Sequence, residues 1–346
     1  MKRIVILVLL VALLIMPVAA ADLTAPEAPD SAQPLMPAET ESFSEGLWQI
    51  LTGALFNLRP EVAEAASICI GVVAICLIAS VVSRLPGSRG SVSELAAGLG
   101  VGIMLLSSSN TMIRLASEAV TELSEYGKLL LPVLTGALAA QGAVTSAAAL
   151  YGGTAADDGL LRTLIGKAMI PVVYMLLALA ASSAATELET LAKLKNLLKW
   201  LSTWTLKIVL YVFTGYMSLT GVISGTTAAA ALKATKLTIS SVVPVVGGIL
   251  SDASETVLGS ASVMKNSAGV YGLFVILSIW ISPFLKIGLQ YLFLKLTGAV
   301  CSAFALKRVG ALLSDFTSAL GLLLGTIGTV SVLLLVSIVC FMKVMA

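Results

Sequence analysis

The chain has 346 residues, of which 58% are hydrophobic and 12% are charged, and its formal net charge is +2. A soluble domain carries roughly 25% charged residues, so the low value here indicates an integral membrane protein whose surface largely faces lipid. The small net charge favours no nucleic-acid partner. The chain contains no histidine, which removes the commonest general base and the commonest protein ligand of metal ions.

The N-terminal residues 1–21 have the features of a secretory signal peptide. Lys2 and Arg3 precede an apolar core, and Ala19 and Ala21 form an A-x-A cleavage site. An uncleaved anchor is the alternative, but the apolar core is short for a membrane span. Cleavage would place the mature N-terminus outside the cytoplasm.

Residues 22–60 are predicted to form an extracytoplasmic flexible lead followed by an amphipathic helix. The lead is acidic and rich in proline and alanine, a composition that buries too little apolar surface to order a segment. Residues 43–58 carry apolar side chains at helical spacing, which predicts a helix that lies either on the outer membrane surface or on the rest of the protein. The polytopic membrane domain is predicted to comprise residues 61–346.

The membrane domain contains apolar stretches that are separated by polar turns. They lie at residues 65–82, 95–115, 129–150, 161–185, 201–223, 271–300 and 312–341. The stretch at 271–300 is longer than one span needs, and Pro283 divides it, so we expect one span and a second, tilted or interfacial helix there. We predict an all-α, polytopic helical membrane protein with about seven membrane-embedded helices, including a broken or re-entrant segment.

Charges between the stretches predict the orientation of the chain. Arg84 and Arg89 lie in a short loop that is cytoplasmic by the positive-inside rule, and the acidic residues at 118–125 favour the outside for the next connection. Lysines at 193–199 favour the cytoplasm for the following loop, 187–200, whereas strict alternation of spans places that loop outside. The two rules conflict, so the orientation of the second half stays open.

The apolar run inside residues 233–259 is interrupted at its centre by a proline and a glycine pair. The candidate pore or gate residues of this segment are Pro244, Gly247, Gly248, Asp252 and Glu255. The run is too short to cross a bilayer, and backbone groups freed by proline are tolerated at membrane depth only where protein or water covers them. Two interpretations follow: a broken or re-entrant helix that lines or gates a pore, and a kinked interfacial helix.

Four lysines lie within or beside the apolar stretches, at positions 167, 207, 286 and 295. A charge at mid-bilayer costs at least about 2.5–3.5 kcal/mol on insertion scales, so a lysine there lines water, meets a partner or extends its ammonium to the interface. Lys286 follows Pro283 and has apolar residues on both sides, which makes it a further pore or gate candidate. Asp252 and Glu255 are candidate partners of Lys286 or of Lys265, and the spacing does not decide between the two lysines.

Three G-x-x-x-G pairs place two glycines on one face of a helix. They are Gly98 with Gly102, Gly221 with Gly225, and Gly321 with Gly325. Such pairs let helix backbones approach closely in lipid, where apolar burial supplies no driving force. They predict helix packing, either within one chain or between copies in a homo-oligomer.

The sequence carries no motif that predicts an enzyme. It lacks a Walker A loop, a G-x-S-x-G elbow and an H-E-x-x-H zinc motif. The four cysteines, Cys69, Cys76, Cys301 and Cys340, lie in apolar surroundings without the spacing of a metal site, so we expect small buried side chains. We therefore predict no catalytic residues, no metal and no cofactor.

Several strings in the centre of the chain are more specific than its composition. They are FTGYMS (213–218), GVISG (221–225), AALKA (230–234), PVVGGILSD (244–252) and KNSAGV (265–270). The segment 213–272 resembles stage III sporulation protein AE of endospore-forming bacteria, and PVVGGILSD is the most specific part of the resemblance. The order of signal peptide, polar lead and polytopic domain is also similar to that family.

The resemblance implies a membrane channel or structural component of the conduit complex that the mother cell builds around the engulfed forespore. The implied partners are other stage III sporulation proteins of the same operon and a forespore membrane protein, in a complex similar to specialised secretion machines. The implied location is the mother-cell membrane that surrounds the forespore. Two other functions remain open: a stand-alone small-molecule permease that works by alternating access, and a non-conducting membrane scaffold.

Overall fold

The computed structural model describes residues 25–37, 42–85, 90–140, 148, 150–155, 159, 165–185, 189–219, 267–304 and 306–345. All regular secondary structure within these ranges is helical, which confirms the all-α class. The helices are α1 (Phe43–Phe56), α2 (Arg59–Ser83), α3 (Gly90–Ala140), α4 (Ile170–Ala185), α5 (Glu189–Leu219), α6 (Ser267–Ser302) and α7 (Lys307–Met345). A 3₁₀ turn at Gln33–Leu35 lies in the lead, and a π-helical turn at Ile165–Met169 precedes α4.

The C-terminal helix α7 is the centre of the bundle. It packs against α3, α4, α5 and α6, and its most apolar part is entirely buried. The hydroxyls of Thr326, Thr329 and Ser337 donate to the carbonyl four residues earlier on α7. These polar side chains therefore satisfy their donors within the helix and do not require water.

Contacts at two levels show that α3 and α7 run in the same direction. Near the start of both helices, the Glu94 carboxylate accepts a hydrogen bond of 2.8 Å from the backbone N–H of Arg308. Further along, a Cβ on Gly127 would lie 2.8 Å from Cδ2 of Leu334. The Glu94 contact also satisfies one of the N–H groups that the first turn of α7 leaves unpaired.

Helices α2 and α6 run parallel to each other and opposite to α7. Lys286 Nζ of α6 lies 2.6 Å from Glu61 Oε1 of α2, and the thiols of Cys76 and Cys301 lie next to each other further along the same pair of helices. A short turn joins α6 to α7, which pack side by side. The basic residues Arg84, Lys307 and Arg308 therefore meet at one end of the bundle, which we call the basic end, as the positive-inside rule favours.

All four cysteines are buried free thiols that form no disulfide. This confirms the interpretation of Cys69, Cys76, Cys301 and Cys340 as small buried side chains. The interhelical contact of Cys76 with Cys301 was not apparent from their spacing.

Three interruptions that the sequence pattern predicts do not occur. The acidic residues 118–125 belong to the single helix α3, which continues for 51 residues from the second apolar stretch into the third. Helix α6 continues through Pro283, so the division into a span and a second helix was wrong. The lysine-rich segment that was predicted as a loop is helical from Glu189 onward, as the first part of α5.

The exposed faces of α2, α3 and α6 are apolar next to the basic end, and the exposed face of α3 becomes largely charged further along the helix. In the part next to the basic end, the exposed side chains are apolar: Ile70, Leu77, Ile78 and Val81 on α2, Val92, Leu99, Ile103 and Leu106 on α3, and Leu292, Leu296 and Val300 on α6. Further along α3, the exposed positions include Arg114, Glu118, Thr121, Glu125 and Lys128, together with the apolar Leu129. The first part suits lipid and the second suits water.

Among the described residues, four helices are long and apolar enough to cross a membrane, namely α2, α3, α6 and α7. Helix α4 is apolar but has only 16 residues, fewer than the roughly 20 that a span needs. The predicted count of seven membrane-embedded helices is not confirmed by these four and stays a prediction, as do the orientation and the domain limits.

The predicted helix at 43–58 is confirmed as α1, which packs on α6. The Ser42 hydroxyl accepts a hydrogen bond from the Glu45 backbone N–H and so caps the helix. Phe43 stacks on Phe274 of α6 at 5.2 Å between ring centroids, and Gly46 lies directly under that ring. A larger residue than glycine would separate α1 from α6 at this point.

Part of the lead is also seated on the helices. The backbone N–H of Ala28 donates to the Tyr271 hydroxyl at 3.2 Å, and Ala32 and Leu35 are buried in the core. These residues are therefore packed, although the composition of the lead predicts flexibility.

The division of the surface makes a prediction about accessibility. A thiol introduced by Glu125→Cys will react with a membrane-impermeant maleimide added to opened cells, in which both membrane surfaces are accessible, because Glu125 lies on the exposed charged face of α3. A thiol introduced by Ile103→Cys, on the exposed apolar face, will not react, because lipid covers it. The native cysteines are all buried. Equal labelling of both variants would contradict the division.

Candidate functional site

Two lysines of α5 meet one aspartate of α7 inside the bundle. Lys195 Nζ forms a short ion pair with Asp315 Oδ2, and Lys199 Nζ lies 2.9 Å from Asp315 Oδ1. Lys195 Nζ also donates to the Ser183 hydroxyl of α4 at 2.8 Å. The side chains of Lys195 and Asp315 are only 9% and 12% exposed. This ionic cluster joins three helices and leaves one positive charge uncompensated by Asp315.

The sequence of α5 explains why its lysines face inward. Lys195 and Lys199 are four residues apart and therefore share one face of the helix. Around and after these lysines, the outer face of α5 carries large exposed apolar side chains: Leu194, Leu197, Trp200, Leu201, Trp204 and Ile208. Further along, α5 buries Leu206, Leu210 and Phe213. An apolar outer face beside inward lysines is favourable when lipid surrounds that face.

The depth of the cluster follows from its position on α7. At 1.5 Å per residue, Asp315 lies about 12 Å along the helix from Lys307 at the basic end. A charge that is buried between helices is costly unless it has a partner, and an ionisable group within a membrane helix is a candidate for a functional site. The cluster is therefore a stronger candidate site than any lysine considered singly.

A groove of about 630 Å³ lies beside the cluster, between α5, α6 and α7. Its lining consists of Lys199, Thr203, Tyr291, Leu294, Lys295, Gly298, Ser302, Gly310, Leu313, Ser314, Thr317, Ser318, Gly321 and Leu322. Lys295 is exposed, and its Nζ lies 5.7 Å from the centroid of the Tyr291 ring. The groove thus combines ammonium groups, hydroxyls and an apolar floor.

The hydrogen bonds of the groove limit what it can do. The hydroxyls of Thr203, Thr317 and Ser318 each donate to the carbonyl four residues earlier, on their own helices. The charged donors that remain for a ligand are the ammonium groups of Lys199 and Lys295. The groove therefore suits the binding of an anionic group, and the described lining supplies no paired nucleophile and base for catalysis.

Lys286, the predicted gate lysine, has a partner that the sequence did not indicate. Its ammonium pairs with Glu61 at 2.6 Å, and Glu61 is in the first turn of α2, where the helix dipole favours an acidic residue. The partners considered from sequence, Asp252 and Glu255, lie outside the described residues. A role for Lys286 at a gate stays a prediction.

The remaining predicted residues fall into two groups. The gate candidates of the segment 233–259 and one glycine pair lie outside the described residues, namely Pro244, Gly247, Gly248, Asp252 and Glu255, with Gly221 and Gly225. Gly98 and Gly102 are buried on α3, and Gly321 and Gly325 are buried on α7. A Cβ on Gly102 would lie 3.8 Å from Leu312 Cδ2, so this glycine faces α7. Gly321 lines the groove. Both described pairs are covered by this chain itself, while packing between copies stays a prediction.

Sequence reasoning missed the ionic cluster. Asp315 was passed over inside the apolar stretch 312–341, and Lys195 and Lys199 were assigned to a loop. An isolated carboxylate in a span, together with two lysines at helical spacing elsewhere, was the available signal. The pairing itself joins residues 116 and 120 positions apart, which no local pattern predicts.

The cluster predicts an asymmetric response to substitution. Asp315→Asn will lower the free energy of unfolding by about 3 kcal/mol, because it leaves two lysines without their carboxylate. The triple variant Lys195→Met, Lys199→Met and Asp315→Leu will stay within about 1 kcal/mol of the unmodified chain, because no buried charge remains. Unfolding of the purified protein in detergent measures both.

The control for this comparison is Glu118→Gln, which removes an exposed carboxylate from the charged face of α3. Its effect should be below about 0.5 kcal/mol. A triple variant that is less stable than Asp315→Asn would contradict the assignment of the cluster as a paired, buried unit.

The pair of Lys286 with Glu61 predicts a measurable coupling. A double-mutant cycle of unfolding free energies with Lys286→Gln and Glu61→Gln should give a coupling free energy of about 1 kcal/mol. The value is modest because both side chains are partly exposed. The same cycle with Glu64→Gln, an exposed carboxylate one turn further along α2, should give a coupling near zero. Equal couplings would show that Glu61 is not the specific partner.

Comparison with known proteins gives a consistent result. The family model of stage III sporulation protein AE matches residues 33–344 of the chain. The stage III sporulation protein AE of Bacillus subtilis (strain 168) is 27% identical over 198 residues, which are 57% of this chain and 50% of that protein. The match thus spans about half the length of this relative. No solved structure matches the chain.

Proposed function

Because the chain belongs to the stage III sporulation protein AE family, we propose that it is a membrane channel or structural component of the mother cell–forespore conduit complex. The observation that carries the proposal is the family match, which extends over almost the whole chain. Membership of the family supports involvement in sporulation, and the long apolar helices support a membrane location. The position in the conduit is the part that requires a test.

The packing of the described helices favours a structural wall over a stand-alone permease. Alternating-access permeases commonly use broken helices, in corresponding places of two repeats, around a site at the bilayer midplane. Here α3, α6 and α7 are continuous, and α7 fills the centre of the bundle. A solute path would then run along a surface of the bundle, where another copy or a partner protein completes it.

The segment 233–259 remains the proposed gate on such a surface. Pro244, Gly247 and Gly248 would open the backbone of this segment, and Asp252 would lie at its polar end. The proposed partners are other stage III sporulation proteins of the same operon and a forespore membrane protein. The proposed location is the mother-cell membrane around the forespore, with the lead outside the cytoplasm after signal cleavage.

A clean deletion in the organism of origin tests the proposal, provided that it forms endospores. We expect engulfment to finish, a late forespore reporter to remain dark and the engulfed forespores to shrink, because the conduit is incomplete. Fluorescence microscopy of the reporter and of the forespore membrane measures all three. Restoring the unmodified gene should restore the signal, and restoring the Glu118→Gln variant should do so equally.

Normal sporulation in the deletion strain would overturn the conduit proposal. If an uptake or export defect in vegetative cells appears instead, the permease takes its place.

A further inference from the structure

The groove between α5, α6 and α7 has an unbalanced positive charge. Lys199 and Lys295 line it, and Lys195 lies behind Lys199 on the same helix face. Asp315 is the acidic residue that faces this group from α7, and it compensates one of the three lysines. Lys295 contacts the ring of Tyr291 and has no acidic partner in the part of the chain that the structure describes. The groove therefore attracts an anion.

The polarity of the groove changes along its length. Its end near the basic end of the bundle is formed by Ser302, Gly310 and Ser314, where both α6 and α7 have their termini. Deeper in the bundle, its lining includes Tyr291 and Leu322. A ligand that fits this gradient has a polar, anionic end and an apolar end, and the polar end points toward the membrane surface.

The outer face of α5 marks the level of the lipid headgroups. Trp200 and Trp204 lie next to the groove residues Lys199 and Thr203 on α5, and both indoles are about half exposed. Tryptophan is enriched at the interface between membrane and water, where its ring is both apolar and able to donate a hydrogen bond. On α6, the exposed apolar Leu296 lies beside Lys295. The mouth of the groove thus lies beside side chains that suit the boundary between the headgroups and the hydrocarbon.

From these observations we infer that the groove binds an anionic phospholipid of the leaflet at the basic end. The ammonium groups of Lys199 and Lys295 bind the phosphate, and the acyl chains lie along the apolar floor toward Leu322. The lysines together exceed the single carboxylate of Asp315, so a headgroup with net negative charge is preferred over a zwitterionic one. This inference concerns the isolated protein and is independent of the proposed role in sporulation.

Titration of the purified full-length protein in detergent, followed by native mass spectrometry, tests the inference. Phosphatidylglycerol should bind with an affinity about fivefold higher than that of phosphatidylcholine. Only phosphatidylglycerol has a net negative charge, and one uncompensated ammonium near such a headgroup contributes about that much. Lys295→Gln should lower the affinity for phosphatidylglycerol about fivefold. Lys295→Arg, which keeps the charge, should restore it and so shows that the glutamine variant is not merely misfolded.

The matched control is Lys207→Gln, because Lys207 is an exposed lysine of α5 that does not line the groove. The affinity of this variant for phosphatidylglycerol should stay within about twofold of the affinity of the unmodified chain. Equal losses in the Lys207 and Lys295 variants, or equal binding of the two lipids, would overturn the inference. Displacement of phosphatidylglycerol by millimolar inorganic phosphate would also overturn it, since the ligand would then be a free anion.

Discussion

The burial of the C-terminal part of α7, residues 319–342, is the constraint on which the rest of the bundle depends. A segment of this length that is covered on every side requires several neighbours, and α3, α4, α5 and α6 pack against α7. A charge that is largely buried nearer the start of α7 also requires a partner, because bulk water solvates it little. Asp315 obtains two ammonium groups from α5, and the Arg308 backbone N–H obtains a carboxylate from α3. The polar contacts that orient the helices are thus concentrated near the basic end.

Elements that depend on local pattern could be predicted from the sequence. Helices α1 and α2 agree with the predicted segments within a few residues at their C-terminal ends. The predicted interruptions at 118–125 and at Pro283 were wrong, because they depend on how the helix packs and not on the local residue pattern alone. Glu118 and Glu125 indicated a loop because they are charged, yet with Arg114, Thr121 and Lys128 they recur every three or four residues and form one face of a helix. Pro283 indicated a break, whereas the surrounding helices hold α6 together across it.

The candidate site could be predicted only in part. The sequence singles out Lys286 and Lys295 as charges in apolar surroundings, and the structure places one in an ion pair and the other in the groove. It does not reveal that Lys195 and Lys199 belong inside the bundle, because the positive-inside rule interprets them as marks of the cytoplasm. Since Lys195 and Lys199 bind Asp315, they are weaker evidence for orientation than exposed lysines are, and the orientation of the second half stays a prediction.

The length of α7 exceeds the thickness of the hydrocarbon layer of a membrane. At 1.5 Å per residue the helix is about 58 Å long, whereas the hydrocarbon layer is roughly 30 Å thick. Helix α3 runs beside it and turns a charged face outward over the part that the lipid does not need to cover. A helix of this length that crosses a hydrocarbon layer along the membrane normal leaves roughly 30 Å outside that layer. Under the function proposed above, this excess would set a lower limit on the gap between the membrane of this protein and a second bilayer that faces it.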